Sequence, residues 1–288
     1  MRTSKMLLKI TVLALALGLL LGAPATAADK AKVLKEAAGK IEALIGGPEG
    51  QLMMQNVGMF KKAGLSHQKS LTVPLENLLT CKNSEDLRML FGMYVFDSNY
   101  ALAFGKRDEF GLLEQLIRND LFMRLKLDGK IRMGAMTMDE LKKVADDPEN
   151  PANRELFAKR AMENLRAWVA KAGTDEEVTE FLVEASYGAV VEGIFVVCKL
   201  AEGAGPGDKL VPLFNEQAKR LDRVYQLLEA YAASKELSEL LELDQRKPIL
   251  KPIVSLITER KGKLAMADVK QILSVIEPHR AEIVKKCK

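Results

Sequence analysis

The stretch Tyr187-Gly-Ala-Val-Val-Glu-Gly-Ile-Phe-Val-Val-Cys198 decides the fold. It sets the small residues Gly188, Ala189 and Gly193 among bulky apolar ones, so neighbouring backbones can approach it closely. Upstream, Gly173 closes a preceding helix, and Thr174 with Glu177 has capping-box spacing, which predicts one long apolar helix reaching about Ala201. A membrane span is the rival reading. Glu192, near the middle of the run, would cost about 2.5 to 3.5 kcal/mol at a bilayer centre, so the segment reads as the central helix of a core and not as a transmembrane segment.

Outward from this helix the pattern stays helical. Ala, Leu, Glu and Lys dominate, aromatic residues are few, and no alternating β-branched run is flanked by hairpin turns. Downstream, Leu210 to Ala233 is amphipathic, a short helix over 235–243 follows, Pro248 and Pro252 should break up the start of the next helix, and Pro278 should bend or interrupt the last. Upstream, 152–172 is a helix, Thr137 with Glu140 has capping-box spacing for a short one, and Asp108 to Lys126 and a segment opening at Ser84 read as longer ones. Two helices on either side of Gly46-Gly47-Pro48 precede them, with an extended connection from Ser66 to Pro74. Nine or ten helices with short connections predict an all-α antiparallel bundle or stack of helical hairpins. Gly92 to Lys106 aligns without gaps on Ala185 to Lys199, placing Tyr94 over Tyr187 and Lys106 over Lys199, which suggests two degenerate repeats.

The N-terminus carries a different signal. Arg2, Lys5 and Lys9 form a basic region, Ile10 to Leu21 an apolar stretch too short for a stable span, and Ala25-Thr26-Ala27 a signal-peptidase pattern. Residues 1–27 are therefore expected to be a cleaved signal peptide and 28–288 a single all-α domain in a bacterial periplasm. No cysteine stands at the cleavage point to carry a lipid. The chain holds 43 Lys and Arg against 39 Asp and Glu, and three of the basic residues fall in the leader, so the mature protein is nearly neutral. Nucleic acid, which demands clustered positive charge, is not an expected partner. Three cysteines allow one disulfide, and Cys81 with Cys287 is the expected pair because Cys198 sits in the apolar helix.

Motifs for catalysis and cofactors are sparse. His67 and His279 are the two histidines, both expected to be solvated, and no Gly-rich phosphate loop, nucleophile elbow, zinc spacing or haem motif occurs, so no cofactor is expected. Met133, Met136 and Met138 have the close thioether spacing that suits Cu(I), although methionine also serves as core filler. More telling are two carboxylates in apolar phase, Asp97 with Leu90, Tyr94 and Ala101, and Glu192 with Ala189, Phe195 and Val196. A buried carboxylate must be protonated, hydrogen-bonded or paired with a cation, and Tyr94, Tyr100, Tyr187, Lys106, Lys199 and any of several arginines could serve. The segment Met93 to Lys106, with Val190 to Val197, resembles a group of exported all-helical bacterial proteins carrying a Tyr-x-x-Asp-x-x-Tyr helix and a distal Glu-Gly helix. The shared positions are Tyr94, Asp97, Tyr100, Glu192 and Gly193. That resemblance implies the fold and no chemistry.

The expectation is a soluble periplasmic binding or interaction protein that takes a small apolar ligand or a partner helix in an inter-helix groove, with Tyr94, Asp97, Tyr100, Tyr187 and Glu192 as ligand-binding residues. An enzyme using Asp97 and Glu192 as acid and base, or a Cu(I)-handling protein using the three methionines, is the alternative. Intact-mass analysis of the exported protein should find Ala28 or Asp29 at its start. Retention of residues 1–27 would refute the leader.

Overall fold

The computed structural model describes residues 27–46, 60, 63–81, 84–232 apart from 128, 133, 135 and 206, and 243–286. The leader, Met133, Cys287 and the short helix expected over 235–242 lie outside the described residues. Ten helices form among those described: α1 (Ala27–Gly46), α2 (Glu76–Thr80), α3 (Ser84–Ala103), α4 (Arg107–Leu116), α5 (Met138–Asp146), α6 (Pro151–Ala172), α7 (Glu176–Ala204), α8 (Val211–Tyr231), α9 (Leu243–Glu259) and α10 (Met266–Lys286). Helix α4 continues through a π-helical turn, Ile117–Leu121, into Phe122–Arg124. No strand occurs among these residues, and the all-α class stands.

Capping explains most starts. Thr137 and Glu140 form the reciprocal box that opens α5, and Asn150 accepts from the Ala152 amide ahead of Pro151 to open α6. At α7 the expectation is corrected by one residue. Asp175 is the cap, accepting from the Val178 amide at 3.3 Å, while the Thr174 hydroxyl turns back to the Lys171 carbonyl. The prolines are also tolerated better than expected. Helix α9 runs through Pro248 and Pro252, and α10 through Pro278. All three rings are exposed, so the carbonyls deprived of a donor face water, while Leu250, Ile253 and Ile257 anchor the opposite face of α9 in the core.

Helix α7 is the hub. It is long and apolar enough to cross a membrane, yet most of it is inside the protein, packed against α3, α6, α8 and α10. Its tightest neighbour is α3, because a Cβ on Gly92 would overlap the Ala185 carbonyl and one on Gly188 would overlap the Met89 carbonyl. The two backbones touch. Arg88 meets Glu180 and Glu184, and further along Phe96 meets Gly193, so the helices run in the same direction. The two segments aligned in the sequence thus lie side by side.

Both histidines are packed rather than solvated. His67 is stacked on Tyr100 at 4.8 Å and lies 3.5 Å from a Glu109 oxygen with its side chain 6% exposed, and His279 shares a 2.7 Å hydrogen bond with the Tyr187 hydroxyl. Burial lowers the His67 pKa. Among the cysteines, Cys81 is disulfide-bonded and Cys198 is a buried free thiol.

Adding one methyl group at the α3–α7 contact should force two backbones apart, at a cost of about 1 to 3 kcal/mol or more. Gly188→Ala is therefore expected to lower the urea midpoint. Gly111→Ala, at a helical glycine with open space around it, should raise stability by about 0.5 to 1 kcal/mol. Equal effects at both positions would mean that the contact is not tight.

Candidate functional site

Helix α3 presents Tyr94, Asp97 and Tyr100 at successive spacings of three, and all three side chains grip one strip of the protein's own backbone. The Tyr94 hydroxyl donates to the Pro74 carbonyl at 2.8 Å, the Val73 amide donates to Asp97 Oδ2 at 2.8 Å, and the Gln68 amide donates to the Tyr100 hydroxyl at 3.0 Å. This connection holds a single 3-10 turn, Lys69–Leu71, which satisfies the Leu71 and Thr72 amides, and side chains must satisfy groups on either side of it. The Tyr-x-x-Asp-x-x-Tyr spacing is a clamp for residues 68–74. Burial raises the phenol pKa of Tyr100 to about 12 and that of Tyr94 further.

Glu192 reaches the same place from α7. Arg280 of α10 closes on it with two parallel bonds, Nε to Oε2 at 2.6 Å and Nη2 to Oε1 at 2.7 Å, and Nη2 also donates to the Leu71 carbonyl at 3.0 Å. The guanidinium lies over the Phe195 ring, 4.2 Å from its centroid. Glu192 and Asp97 face each other, close enough to share a hydrogen bond once one of them is protonated, and both are completely buried. Two carboxylate oxygens repel unless a proton lies between them. Asp97 Oδ1 meets no N–H donor, and burial together with the Glu192 charge raises the Asp97 pKa well above the carboxylate range. Asp97 is therefore the proton carrier, and Glu192 is the anion that Arg280 neutralises.

Tyr187, the third expected tyrosine, lies apart from this cluster, bonded to His279 and covered by the Arg246 guanidinium at 5.4 Å. Arg246 and Arg88 both reach Glu184, forming a second buried ionic group that sequence reasoning missed. Lys106 and Lys199 stand elsewhere, Lys199 pairing with Glu277 at 2.9 Å. Of the thioethers, Met136 is buried and Met138 is 58% exposed. Among the described residues no group of three His, Cys, Asp or Glu is placed to hold a metal.

On the other side of α3 lies a cavity of about 310 Å³ between α3, α4, α6, α7 and α8. Phe91, Phe96, Trp168, Phe181, Leu182 and Val190 supply much of its wall, and of the expected site residues Tyr100 and Met136 line it. Ala158, Ala161 and Leu165 of α6 and Ser186 and Ala189 of α7, half-buried or exposed, mark where it meets solvent. The π-helical turn after α4 places Ile117 and Arg118 on the wall, a kind of distortion often found at functional sites. One polar group is conspicuous: Gln217, 3% exposed, lines the cavity with no hydrogen bond to another described residue. A signal existed in the sequence, because Gln217 interrupts the stripe Leu210, Leu213, Leu221 and Val224. No family model, curated protein or solved structure matches this chain.

Removing the two carboxylates should have opposite consequences. Glu192→Gln strands the Arg280 cation in the interior and is expected to cost about 3 to 5 kcal/mol. Asp97→Asn keeps an acceptor for Val73 and a donor for Glu192, so at pH 8 it should cost less than about 1 kcal/mol or add stability. The parent should lose stability as pH rises from about 4, the ordinary carboxyl pKa, through the raised folded value, because the folded protein holds a proton the unfolded chain releases. That loss should disappear in Asp97→Asn. Urea melts at pH 5 and pH 8 decide, and an Asp97→Asn penalty as large as that of Glu192→Gln would overturn the shared proton.

Proposed function

We propose that this chain is an exported, periplasmic helical binding protein whose ligand is a small apolar molecule held in the cavity between α3, α6, α7 and α8. The cavity itself carries the reading. Protein interiors leave few voids larger than a water molecule, so a largely apolar chamber of about 310 Å³ that opens to solvent between α6 and α7 invites an occupant. Its size falls in the range of small-molecule sites, and its aromatic wall offers water few partners. The leader pattern at residues 1–27 supports the periplasmic placement.

The acid–base alternative needs a carboxylate pair that substrate can reach. Asp97 and Glu192 are instead completely buried, with Asp97 held on the Val73 amide and Glu192 on Arg280, which supports a structural role for them. Catalysis therefore has no foothold at this pair.

Trp168, the single tryptophan of the chain, lines the cavity and reports its occupancy. Titration with N-phenyl-1-naphthylamine should give saturable probe emission, quenching of Trp168 and a raised melting temperature. Ser186→Phe projects a ring into the cavity from a half-buried position and should abolish binding without lowering the melting temperature of the free protein. Unsaturable emission, or the same affinity in parent and variant, would remove the cavity reading.

A further inference from the structure

We propose that the ligand of this cavity is an amphiphile with a single anionic head, a medium-chain monocarboxylate, whose carboxylate meets Arg220 and Gln217 of α8 and whose chain lies against Trp168, Phe181 and Val190. This rests on the cavity as the binding site and names the class of molecule it takes.

Four arginines and two glutamates line the cavity. Arg118 closes on Glu114 at 3.2 Å, and Arg160 is divided between Glu140 and Glu163, each at 3.0 Å. Arg223 has interactions elsewhere. Arg220 differs from the rest. Its Nε donates to Glu216 at 3.3 Å, and its two Nη groups make no hydrogen bond with described residues. Arg220 lines the cavity with 23% of its side chain exposed, and burial holds its guanidinium pKa below the usual value. A cation in that setting attracts an anion strongly.

Gln217 stands one helical turn before Arg220, on the same face of α8. It is 3% exposed, its amide makes no hydrogen bond with described residues, and Gly193 on the facing helix leaves room for its Oε1, since a Cβ there would lie 2.9 Å from that oxygen. An amide N–H beside a guanidinium fork offers a carboxylate two kinds of donor at one point. The aromatic wall of Phe91, Phe96, Trp168 and Phe181 takes the chain. Size follows from comparison: a cavity of about 150 Å³ takes benzene, so about twice that volume takes roughly twelve carbon-sized atoms.

The experiment is displacement of bound N-phenyl-1-naphthylamine at pH 8 by decanoate and by 1-decanol, which share a chain and differ in head group. Decanoate should bind at least about tenfold more tightly than 1-decanol. Arg220→Gln should weaken decanoate by about tenfold or more relative to 1-decanol, and a retained cooperative melt shows that the variant is folded. Equal displacement by the two chains, or decanoate binding indifferent to Arg220→Gln, overturns the anionic head while the apolar site stands. Failure of the naphthylamine, decanoate and 1-decanol all to bind overturns both.

Discussion

The contact between α3 and α7 at Gly92 and Gly188 is the constraint on which the rest of the molecule depends. With backbones touching there, side chains are pushed to the two flanks of the helix pair, and those flanks become chemically different places. One flank is the sealed polar knot of Asp97, Glu192 and Arg280, with residues 68–74 strapped across it. On the other, Gly92, Ala185 and Ala189 leave space that no side chain fills, and the cavity opens. A single packing decision therefore makes both the lock and the chamber.

The lock is built so that burial of three ionisable groups is tolerable. Glu192 and Arg280 neutralise each other bidentately, and Arg280 spends a further donor on a backbone carbonyl. Asp97 enters as a neutral acid, so the interior holds one compensated pair and not an excess charge. The same proton joins α3 to α7 while Val73 joins α3 to the strap. Four chain segments, far apart in sequence, are thereby fixed in one register, a specificity that apolar packing alone supplies less sharply.

Much of this was legible in the sequence, for reasons that differ from residue to residue. The central helix could be read because its apolar run and small residues are local properties of residues 187–198. Asp97 and Glu192 could be singled out because a carboxylate in apolar phase is also a local anomaly. What they bind could not be read, since Arg280 and Val73 are brought to them only by the fold. His67 and His279 were misjudged for the same reason: polar neighbours in sequence say little about a ring that stacks on Tyr100 or meets Tyr187 in space. The prolines of α9 failed as breakers because their cost depends on which face they occupy, and the exposed face lets water replace the lost donor.

The cavity was the least legible feature, because a void is a property of several helices at once. Its wall is drawn from α3, α4, α6, α7 and α8, and each contributing residue, a Phe or Ala on an apolar face, looks like ordinary core in its own helix. Only the polar exceptions betray it. Gln217 breaks an apolar stripe, and an amide placed among apolar residues on the wall of an open chamber calls for an explanation beyond packing. The expected ligand set of Tyr94, Asp97, Tyr100, Tyr187 and Glu192 occupies the lock or its neighbourhood, whereas the open chamber lies on the opposite flank of α3, with Tyr100 bordering both. Polar residues in apolar phase thus divide by where they face: those turned onto other segments of the chain hold the fold together, and those turned toward open space are the ones a bound molecule can reach.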